Sequence, residues 1–180
     1  MIILVDQDDV LNSYNEEFNK IWKAICPPEV YIPSSRQRNF NFTLDYPESF
    51  RPAMRDIYTA PGFVLNLPPI EKGIEAVKEM VSMGLTVYIC TAPLLDYENC
   101  VLEKYQWVER HLGREYIGRL VLTRDKTLVQ GDFLIDDNPE IRGSAQPRWE
   151  QIVFDQPHNQ HSKVTKRMFD WNDWKKLIGV

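Results

Sequence analysis

The chain lacks several features that are typical of secreted or membrane-bound proteins. Its three cysteines are an odd number without any CxxC pair, so we expect reduced thiols rather than a disulfide framework. No apolar stretch approaches the length of a membrane span. The opening apolar run, Ile2 to Val5, meets an aspartate at once and is too short for a signal peptide. We therefore expect a cytoplasmic protein without a membrane partner.

Negative charge outnumbers positive charge in this chain. The 21 Lys and Arg residues face 26 Asp and Glu residues, which gives a net charge of −5. This balance disfavours a nucleic-acid polymer or an anionic membrane as a partner. A small phosphate remains a suitable ligand where a metal ion and a nearby Lys or Arg offset its charge. The length of 180 residues and the hydrophobic fraction of 43% fit one globular domain with a small insertion.

Short apolar runs alternate with helical patterns along most of the chain. Five such runs predict strands at residues 2–5, 85–90, 119–122, 132–135 and 151–154. Amphipathic patterns predict helices at residues 12–25, 51–58, 71–83, 98–112 and 171–178, the last capped by Asp170. This alternation is typical of a Rossmann-like, three-layer α/β core with a parallel sheet.

One long segment interrupts the alternation. Residues 16–70 follow the first strand but show mainly helical or irregular patterns. We therefore predict a small helical cap over residues 16–70. Residues 1–15 and 71–180 would form the core domain.

Polar residues follow four of the predicted strands, and these residues suggest the chemistry. They are Asp6 and Asp8, Thr91, Lys126, and the pair Asp136 and Asp137. In a parallel sheet these positions share the carboxyl rim, where ligands bind. Clustered carboxylates need a cation or a proton between them, and Mg²⁺ suits oxygen ligands beside a phosphate. The set predicts phosphoryl transfer, with a metal and a lysine offsetting repulsion between carboxylate and phosphate.

The chain resembles the haloacid-dehalogenase-like phosphatases, and within them the 5′(3′)-deoxyribonucleotidases. The resemblance begins with the Asp-x-Asp-x-Val-Leu pattern of residues 6–11. It continues through residues 89–95, 103–109, 121–127, 134–137, 149–154 and 158–161. It extends to the Trp171–Trp174 stretch and so spans nearly the whole chain.

This resemblance implies a Mg²⁺-dependent enzyme that hydrolyses (deoxy)nucleoside monophosphates through an aspartyl-phosphate. Asp6 takes the position of the nucleophile, and Asp8 that of the general acid and base. Lys126 pairs with both the phosphate and the nucleophile. Thr91 and Ala92 occupy the phosphate-binding positions.

The resemblance also implies the metal ligands and the substrate pocket. The Mg²⁺ ligands would be Asp6, the backbone carbonyl of Asp8, and Asp137, with Asp136 as a supporting neighbour. The residues in substrate-pocket positions are Tyr14, Phe40, Phe42, Tyr58 and Arg124. The expected partner is a small-molecule nucleotide, and a homodimer is left open.

Three positions depart from the family pattern. Asp9 replaces a usual glycine, Ala92 replaces a hydroxyl residue, and Asn41 replaces an aromatic residue. An extra carboxylate at Asp9 could weaken phosphate binding or bind a second cation. The other two changes bear on the preference for a base.

Other readings of the same residues remain as alternatives. Receiver domains also combine an acidic pair with a Thr and a Lys. Here, however, no strand followed by Asp stands where they carry the phosphorylated Asp, and they have no counterpart of the Asp136 and Asp137 pair. A phosphatase of small sugars or amino acids, and a phosphate-binding module weakened by Asp9, both stay open.

The spacing of His158 and His161 favours packing or hydrogen bonding over a metal pair. Cys90 ends an apolar strand and suits a buried structural role. The aromatics from Phe40 to Tyr58 could form the core of the insertion.

Overall fold

The computed structural model describes all 180 residues, and its centre is a six-stranded parallel sheet. The strands are β1 (Ile2–Val5), β2 (Thr86–Thr91), β3 (Leu120–Leu122), β4 (Phe133–Asp136), β5 (Glu150–Phe154) and β6 (Arg167–Met168). The helices are α1 (Tyr14–Ile25), α2 (Arg51–Tyr58), α3 (Glu71–Ser82), α4 (Cys100–His111) and α5 (Trp174–Ile178). The strand order β3-β2-β1-β4-β5-β6 places β1 between β2 and β4. None of the helices has both the length and the apolar character to cross a membrane.

The composition of β1 explains its central place. Ile3, Leu4 and Val5 are completely buried, as expected for a parallel strand that is covered on both faces. Val5 pairs with Ile89 of β2 on one side and with Ile135 of β4 on the other. Each buried aliphatic side chain contributes about 1.5–3 kcal/mol relative to exposure. The first strand is therefore held firmly on both sides up to the point where its acidic residues begin.

The predicted α/β architecture is confirmed, and the five predicted strands are present with ends displaced by about one residue. The sheet also contains β6, a two-residue strand that pairs with β5 and is too short to leave a pattern in the sequence. Near the C-terminus, Trp171–Asp173 is a 3₁₀ turn, and the α-helix begins only at Trp174. The side chain of Asp170 accepts a hydrogen bond from Asn172 N at 2.8 Å, so it caps this turn as predicted.

The chain leaves and re-enters the core through two linkers that pair with each other. Asn12 and Pro69 form an antiparallel bridge, and Ser13 N donates a hydrogen bond to Pro68 O at 2.9 Å. Between these linkers lie α1, α2 and three short 3₁₀ turns. The boundary of the cap at residues 16 and 70 stays a prediction, and the paired linkers are the contacts that support it.

Helix α4 holds the returning linker in place. The carboxylate of Glu103 accepts hydrogen bonds from Gly62 N at 2.7 Å and from Leu65 N at 3.1 Å. Trp107 Nε1 donates to Leu67 O at 2.8 Å. Because Glu103 and Trp107 are both buried, these bonds are shielded from water. The orientation of α4 is thus fixed relative to the inserted segment.

The buried aromatic side chains of the insertion belong to the same hydrophobic core as the strands of the sheet. Tyr14, Phe18 and Trp22 are four residues apart along α1 and form its buried face. The ring of Phe42 lies 4.2 Å from that of Phe18, measured between centroids, and Phe42 is only 7% exposed. Phe40, by contrast, is 47% exposed. Phe42 therefore packs in a core, although this core is shared with the sheet and is not the insertion's own, whereas Phe40 does not.

Candidate active site

Three neighbouring strands deliver polar groups to one rim of the sheet. Asp6 directly follows β1, and its backbone N still donates to Ile135 O at 2.9 Å. Thr91 is the last residue of β2, and Asp136 is the last residue of β4. Because β1 lies between β2 and β4, the three side chains leave adjacent backbones at the same edge.

A cavity of about 400 Å³ lies over this rim. Most of the predicted site residues line it, namely Asp6, Asp8, Tyr14, Phe40, Phe42, Tyr58, Thr91, Ala92, Arg124 and Asp137. Lys126 and Asp136 also belong to the rim, but they are buried and do not line the cavity. The structure therefore brings the predicted residues together, while the role of each one stays a prediction.

Lys126 is the ammonium at the centre of the rim. Its Nζ lies 2.8 Å from Asp6 Oδ1 and donates to Asp136 Oδ2 at 2.5 Å. Burial alone lowers the pKa of Lys126, but the two carboxylates outweigh burial and raise it above its ordinary value. Lys126 is therefore a permanent positive charge next to Asp6.

The turn that carries Lys126 is held by Asp125. This carboxylate accepts hydrogen bonds from Thr127 N at 3.0 Å and from Ser144 N at 2.8 Å. Hydrogen bonds from Ser144 and Thr127 lower the pKa of Asp125 to about 2. Gly143 is needed beside it, because a Cβ there would lie 1.9 Å from Asp125 Oδ1. Lys126 is thus placed by a backbone turn that has little freedom.

Asp6, Asp136 and Asp137 form a buried group of carboxylates that suits a metal ion. One oxygen of each lies within 4.8 Å of the others. Burial, the largest cause, and repulsion from nearby carboxylates raise the pKa of Asp136 to about 7 and raise that of Asp137. A set of oxygen donors with excess negative charge fits Mg²⁺. Bound cations are often the largest charges in such a site.

The predicted ligand set differs from this group in one member. The predicted ligands include the backbone carbonyl of Asp8, whereas the buried set of three carboxylates includes Asp136 instead. Both oxygens of Asp136 already have partners, because Oδ2 accepts from Lys126 and Oδ1 accepts from Asn138 N at 2.9 Å. This engagement is compatible with Asp136 as a supporting neighbour. The ligand set stays a prediction.

His158 and its neighbour Asn159 hold Asp137 from the other side. His158 Nε2 lies 3.1 Å from Asp137 Oδ2, and Asn159 Nδ2 donates to Asp137 O at 2.7 Å. The His158 ring also meets Phe40 edge to face, with 5.6 Å between centroids. His161 is exposed and His158 is buried, so the packing and hydrogen-bonding role expected for His158 is the one observed.

Cys90 is completely buried, as expected for a structural thiol. Burial raises the pKa of Cys90 to about 12. A thiol with that pKa is a poor nucleophile at neutral pH.

Asp9 has a structural contact that its sequence position does not reveal. Its φ of 55° lies in the left-handed region, which fits a position where the family usually has glycine. The side chain is buried, and Oδ1 accepts a hydrogen bond from Asn15 N at 2.8 Å. Burial and then the charge of Asp137 raise the pKa of Asp9. Because Ser13 makes no side-chain cap to α1, Asp9 performs that capping. Asp9 is therefore a buried residue that also stabilises the start of α1.

Two side chains that the sequence analysis did not single out hold Asp8. Lys104 Nζ donates to Asp8 Oδ2 at 2.6 Å and to Thr91 Oγ1 at 2.9 Å. Asn12 Nδ2 donates to Asp8 Oδ1 at 3.0 Å. A signal for Lys104 does exist, because it lies on the same helical stripe as the apolar Trp107, where a solvated lysine is not expected.

The fold is that of the haloacid-dehalogenase-like hydrolases. A hydrolase of this family from Deinococcus radiodurans R1, solved with phosphate and sodium, matches with a TM-score of 0.64 and 11% identity. The match covers 99% of this chain and 94% of that one. A Bacillus subtilis hydrolase of the same class, bound to magnesium, gives a TM-score of 0.54 and 10% identity over 99% and 98% of the two chains.

The sequence comparison narrows the class. Residues 1–180 match the family described as 5′ nucleotidase, deoxy (pyrimidine), cytosolic type C protein. The human cytosolic-type 5′(3′)-deoxyribonucleotidase is 41% identical over 98% of this chain and 92% of that protein. A Bordetella bronchiseptica protein, provisionally named 5′(3′)-deoxyribonucleotidase, is 47% identical over 99% and 95%. The chain belongs to this nucleotidase family and is a phosphomonoester hydrolase, as its resemblance predicted.

Proposed function

We propose that the protein is a Mg²⁺-dependent 5′(3′)-deoxyribonucleotidase that converts deoxyribonucleoside monophosphates into nucleoside and phosphate. The observation that carries this proposal is a single cavity that is lined both by polar groups of the sheet rim and by an aromatic ring of the insertion. Asp6, Asp8 and Thr91 line it from the rim, and the half-exposed ring of Phe40 lines it from the insertion. The human cytosolic-type relative, which is named for this activity, supports the choice of substrate.

In the first step, a carboxylate oxygen of Asp6 attacks the phosphorus atom. The bond from phosphorus to the nucleoside oxygen breaks, its electron pair stays on that oxygen, and Asp8 supplies the proton. Lys126, with its charge beside Asp6, offsets the repulsion between carboxylate and phosphate. Thr91 donates a hydrogen bond to a phosphate oxygen. The nucleoside leaves, and the phosphoryl group stays on Asp6.

In the second step, water attacks the phosphorus atom of the aspartyl-phosphate. Asp8, now deprotonated, accepts the proton from this water, and the bond to Asp6 breaks to release phosphate. Both residues return to their starting states. Asp6, the Asp8 carbonyl and Asp137 would hold Mg²⁺, which supplies positive charge against the phosphate oxygens.

Choice of substrate belongs to the part of the cavity that the insertion forms. Phe40 offers a flat face on which a base can stack, and stacking is worth about 1–3 kcal/mol. Tyr14, Tyr58 and Arg124 complete the wall. Ala92 offers no hydroxyl there, so any hydrogen bond at that position comes from the backbone. We propose action on free mononucleotides, because the net charge of −5 disfavours a nucleic-acid polymer. We propose the cytoplasm as the compartment, in line with the cytosolic-type human relative.

The test is phosphate release from a substrate panel. The panel contains 5′- and 3′-monophosphates of deoxyribonucleosides and ribonucleosides, together with sugar phosphates, each assayed with Mg²⁺ and with EDTA. We expect the highest kcat/KM on deoxyribonucleotides and loss of turnover in EDTA. Faster release from a sugar phosphate would favour the small-substrate phosphatase instead. No release from any substrate would favour a phosphate-binding module without catalysis.

A further inference from the structure

Lys104 is a second buried lysine at the rim, and the catalytic steps described above do not use it. It is completely buried in α4, and its Nζ donates hydrogen bonds to Asp8 Oδ2 and Thr91 Oγ1 at 2.6 and 2.9 Å. Burying an ammonium group costs several kcal/mol unless it is well paired. An apolar residue on this stripe of α4 would avoid that cost. The two partners of Lys104 therefore suggest its purpose.

The contact with Thr91 determines the direction of a hydrogen. An ammonium group has donors only, so in this pair the hydroxyl oxygen of Thr91 must accept. The hydrogen of that hydroxyl then points away from Lys104. Thr91 is 1% exposed and lines the cavity beside Asp6, so its hydrogen is available to a phosphate oxygen there. Lys104 thus makes Thr91 a donor toward the cavity.

The contact with Asp8 fixes a carboxylate. Lys104 holds Oδ2, and Asn12 holds Oδ1 through its Nδ2 at 3.0 Å. The Asp8 side chain is still 26% exposed, so it faces the cavity while both oxygens are anchored. A general acid has to lie within hydrogen-bond reach of the leaving oxygen, so its orientation matters for the rate.

Helix α4 provides a firm base for Lys104. Its neighbour Glu103 binds the returning linker at Gly62 and Leu65, and Trp107 binds Leu67. These contacts point to the insertion, whereas Lys104 points to the rim. Glu103 and Lys104 are adjacent in sequence, and both are buried. Glu103 therefore offers a matched control on the same helix.

We propose that Lys104 is a positioning residue for phosphoryl transfer. It aims the Asp8 carboxyl group at the leaving oxygen, and it aims the Thr91 hydroxyl hydrogen at the phosphate. This inference rests on the proposed function, because it assumes that Asp8 protonates the leaving group. It adds a role for a residue on a helix that carries none of the strand-end motifs.

The proposal predicts a dependence on the leaving group. Without a proton, a nucleoside would have to leave as an alkoxide, which is a poor leaving group, so its departure needs the proton from Asp8. p-Nitrophenyl phosphate releases a stable phenolate and needs that proton much less. Loss of Lys104 misplaces both Asp8 and Thr91. The kcat on a nucleotide should fall because of both changes, whereas the kcat on the aryl phosphate should fall mainly because Thr91 is misplaced.

The experiment compares Lys104→Met with Glu103→Gln on both substrates in saturating Mg²⁺. For Lys104→Met we expect kcat on a deoxyribonucleotide to fall roughly hundredfold, the lower end for loss of general acid catalysis. On p-nitrophenyl phosphate we expect a fall of about fivefold, since Thr91 contributes a single hydrogen bond. Glu103→Gln should lower the melting temperature and change both rates by one common factor.

A second variant separates positioning from a loss of structure. Lys104→Gln keeps a donor without the charge, so it should restore part of the nucleotide rate relative to Lys104→Met. In an Asp8→Asn background, Lys104→Met should cost only about fivefold on the nucleotide, the share expected from Thr91, because the carboxylate that Lys104 positions is gone. Equal losses on both substrates, or full additivity with Asp8→Asn, would overturn the proposal. A wild-type protein inactive on every nucleotide would instead overturn the proposed function.

Discussion

The rim of the sheet and the inserted segment hold their site residues in different ways. Asp6, Thr91 and Asp136 sit on or next to backbone that is hydrogen bonded in the sheet. Phe40 lies outside regular structure, just before a short 3₁₀ turn, and is 47% exposed. The sheet holds the rim residues, whereas irregular backbone holds Phe40; we therefore propose that the rim carries the chemistry and that the insertion selects the substrate. Substitutions at the rim should therefore lower kcat, whereas substitutions in the insertion should change the dependence on substrate or the stability of the fold.

The largest effect should come from the rim. Asp6→Asn keeps the shape of the side chain but removes the attacking charge, so kcat should fall at least about a thousandfold while the fold is retained. The measurement is steady-state phosphate release, with circular dichroism to check folding. Asp56→Asn, on the exposed face of α2, is the control and should match wild type. Near-normal turnover in Asp6→Asn would disprove the aspartyl-phosphate route.

On the side of the insertion, Phe40 and Phe42 should behave differently although they are two residues apart. Phe40→Ala removes a stacking surface, so kcat/KM should fall roughly ten- to hundredfold on a deoxyribonucleotide. It should fall much less on p-nitrophenyl phosphate. Phe42→Ala opens a cavity against Phe18 and should cost about 3–5 kcal/mol of unfolding free energy.

Both variants need the same pair of assays, which are kinetics on the two substrates and thermal unfolding. Equal kinetic losses on both substrates for Phe40→Ala would place its ring in the packing of the insertion rather than against a base. A melting temperature unchanged in Phe42→Ala would contradict its assignment to the aromatic core.

The buried carboxylates predict a pH dependence that a metal should reverse. Burial and mutual repulsion raise the pKa of Asp9 and Asp137, and that of Asp136 to about 7. A raised pKa means that the folded state binds protons more tightly. This contribution to stability is present below the ordinary carboxylate pKa and is lost as the pH rises through the raised one.

In EDTA, the melting temperature should therefore fall by about 3 °C or more between pH 5.5 and pH 8. Mg²⁺ binds the deprotonated carboxylates, so it should raise the melting temperature more at pH 8 than at pH 5.5. The check is thermal unfolding at both pH values with EDTA and with Mg²⁺. Asp125 and Asp170 have lowered pKa values, so their contribution is lost only in stronger acid and does not disturb this window. A Mg²⁺ effect that is larger at pH 5.5 would refute the carboxylate site.

The smallest effect should come from Asp9, where the two regions meet. Asp9→Gly removes a charge from the cavity and relieves the left-handed backbone, but it also removes the cap on α1. Asp9 lines the cavity, so its removal reduces the repulsion of the phosphate, and KM should fall about fivefold, which corresponds to about 1 kcal/mol. Loss of the helix cap should lower the free energy of unfolding by about 1 kcal/mol. Relief of the strained left-handed backbone should raise it by a similar amount, so the stability should change little. A large loss of kcat would show a positive catalytic role for Asp9.

Much of the rim could be predicted because its residues follow apolar runs. A run such as Ile2–Val5 marks a buried strand, and the residue after a parallel strand lies at the carboxyl rim. The predicted residues other than Lys126 and Asp136 do line one cavity. The two-residue strand β6 escaped prediction because a pair of residues carries no periodicity.

The insertion was harder to predict because local pattern does not determine which side chains its turns expose. Phe40 and Phe42 look equivalent in the sequence, yet a 3₁₀ turn begins at Phe42 and sends the two rings to different environments. Asp9 resembles a lesion in the sequence, but its contact with Asn15 makes it a helix cap.

The sequence by itself determined the order of strands and helices and the acidic, hydroxyl and lysine groups at the strand ends. It could do so because burial and the period of a strand are local properties of the chain. Only the tertiary structure decided that Lys104, 96 positions from Asp8 in the chain, holds this carboxylate. That contact depends on how α4 packs against the rim and the returning linker, a long-range arrangement that no local pattern records.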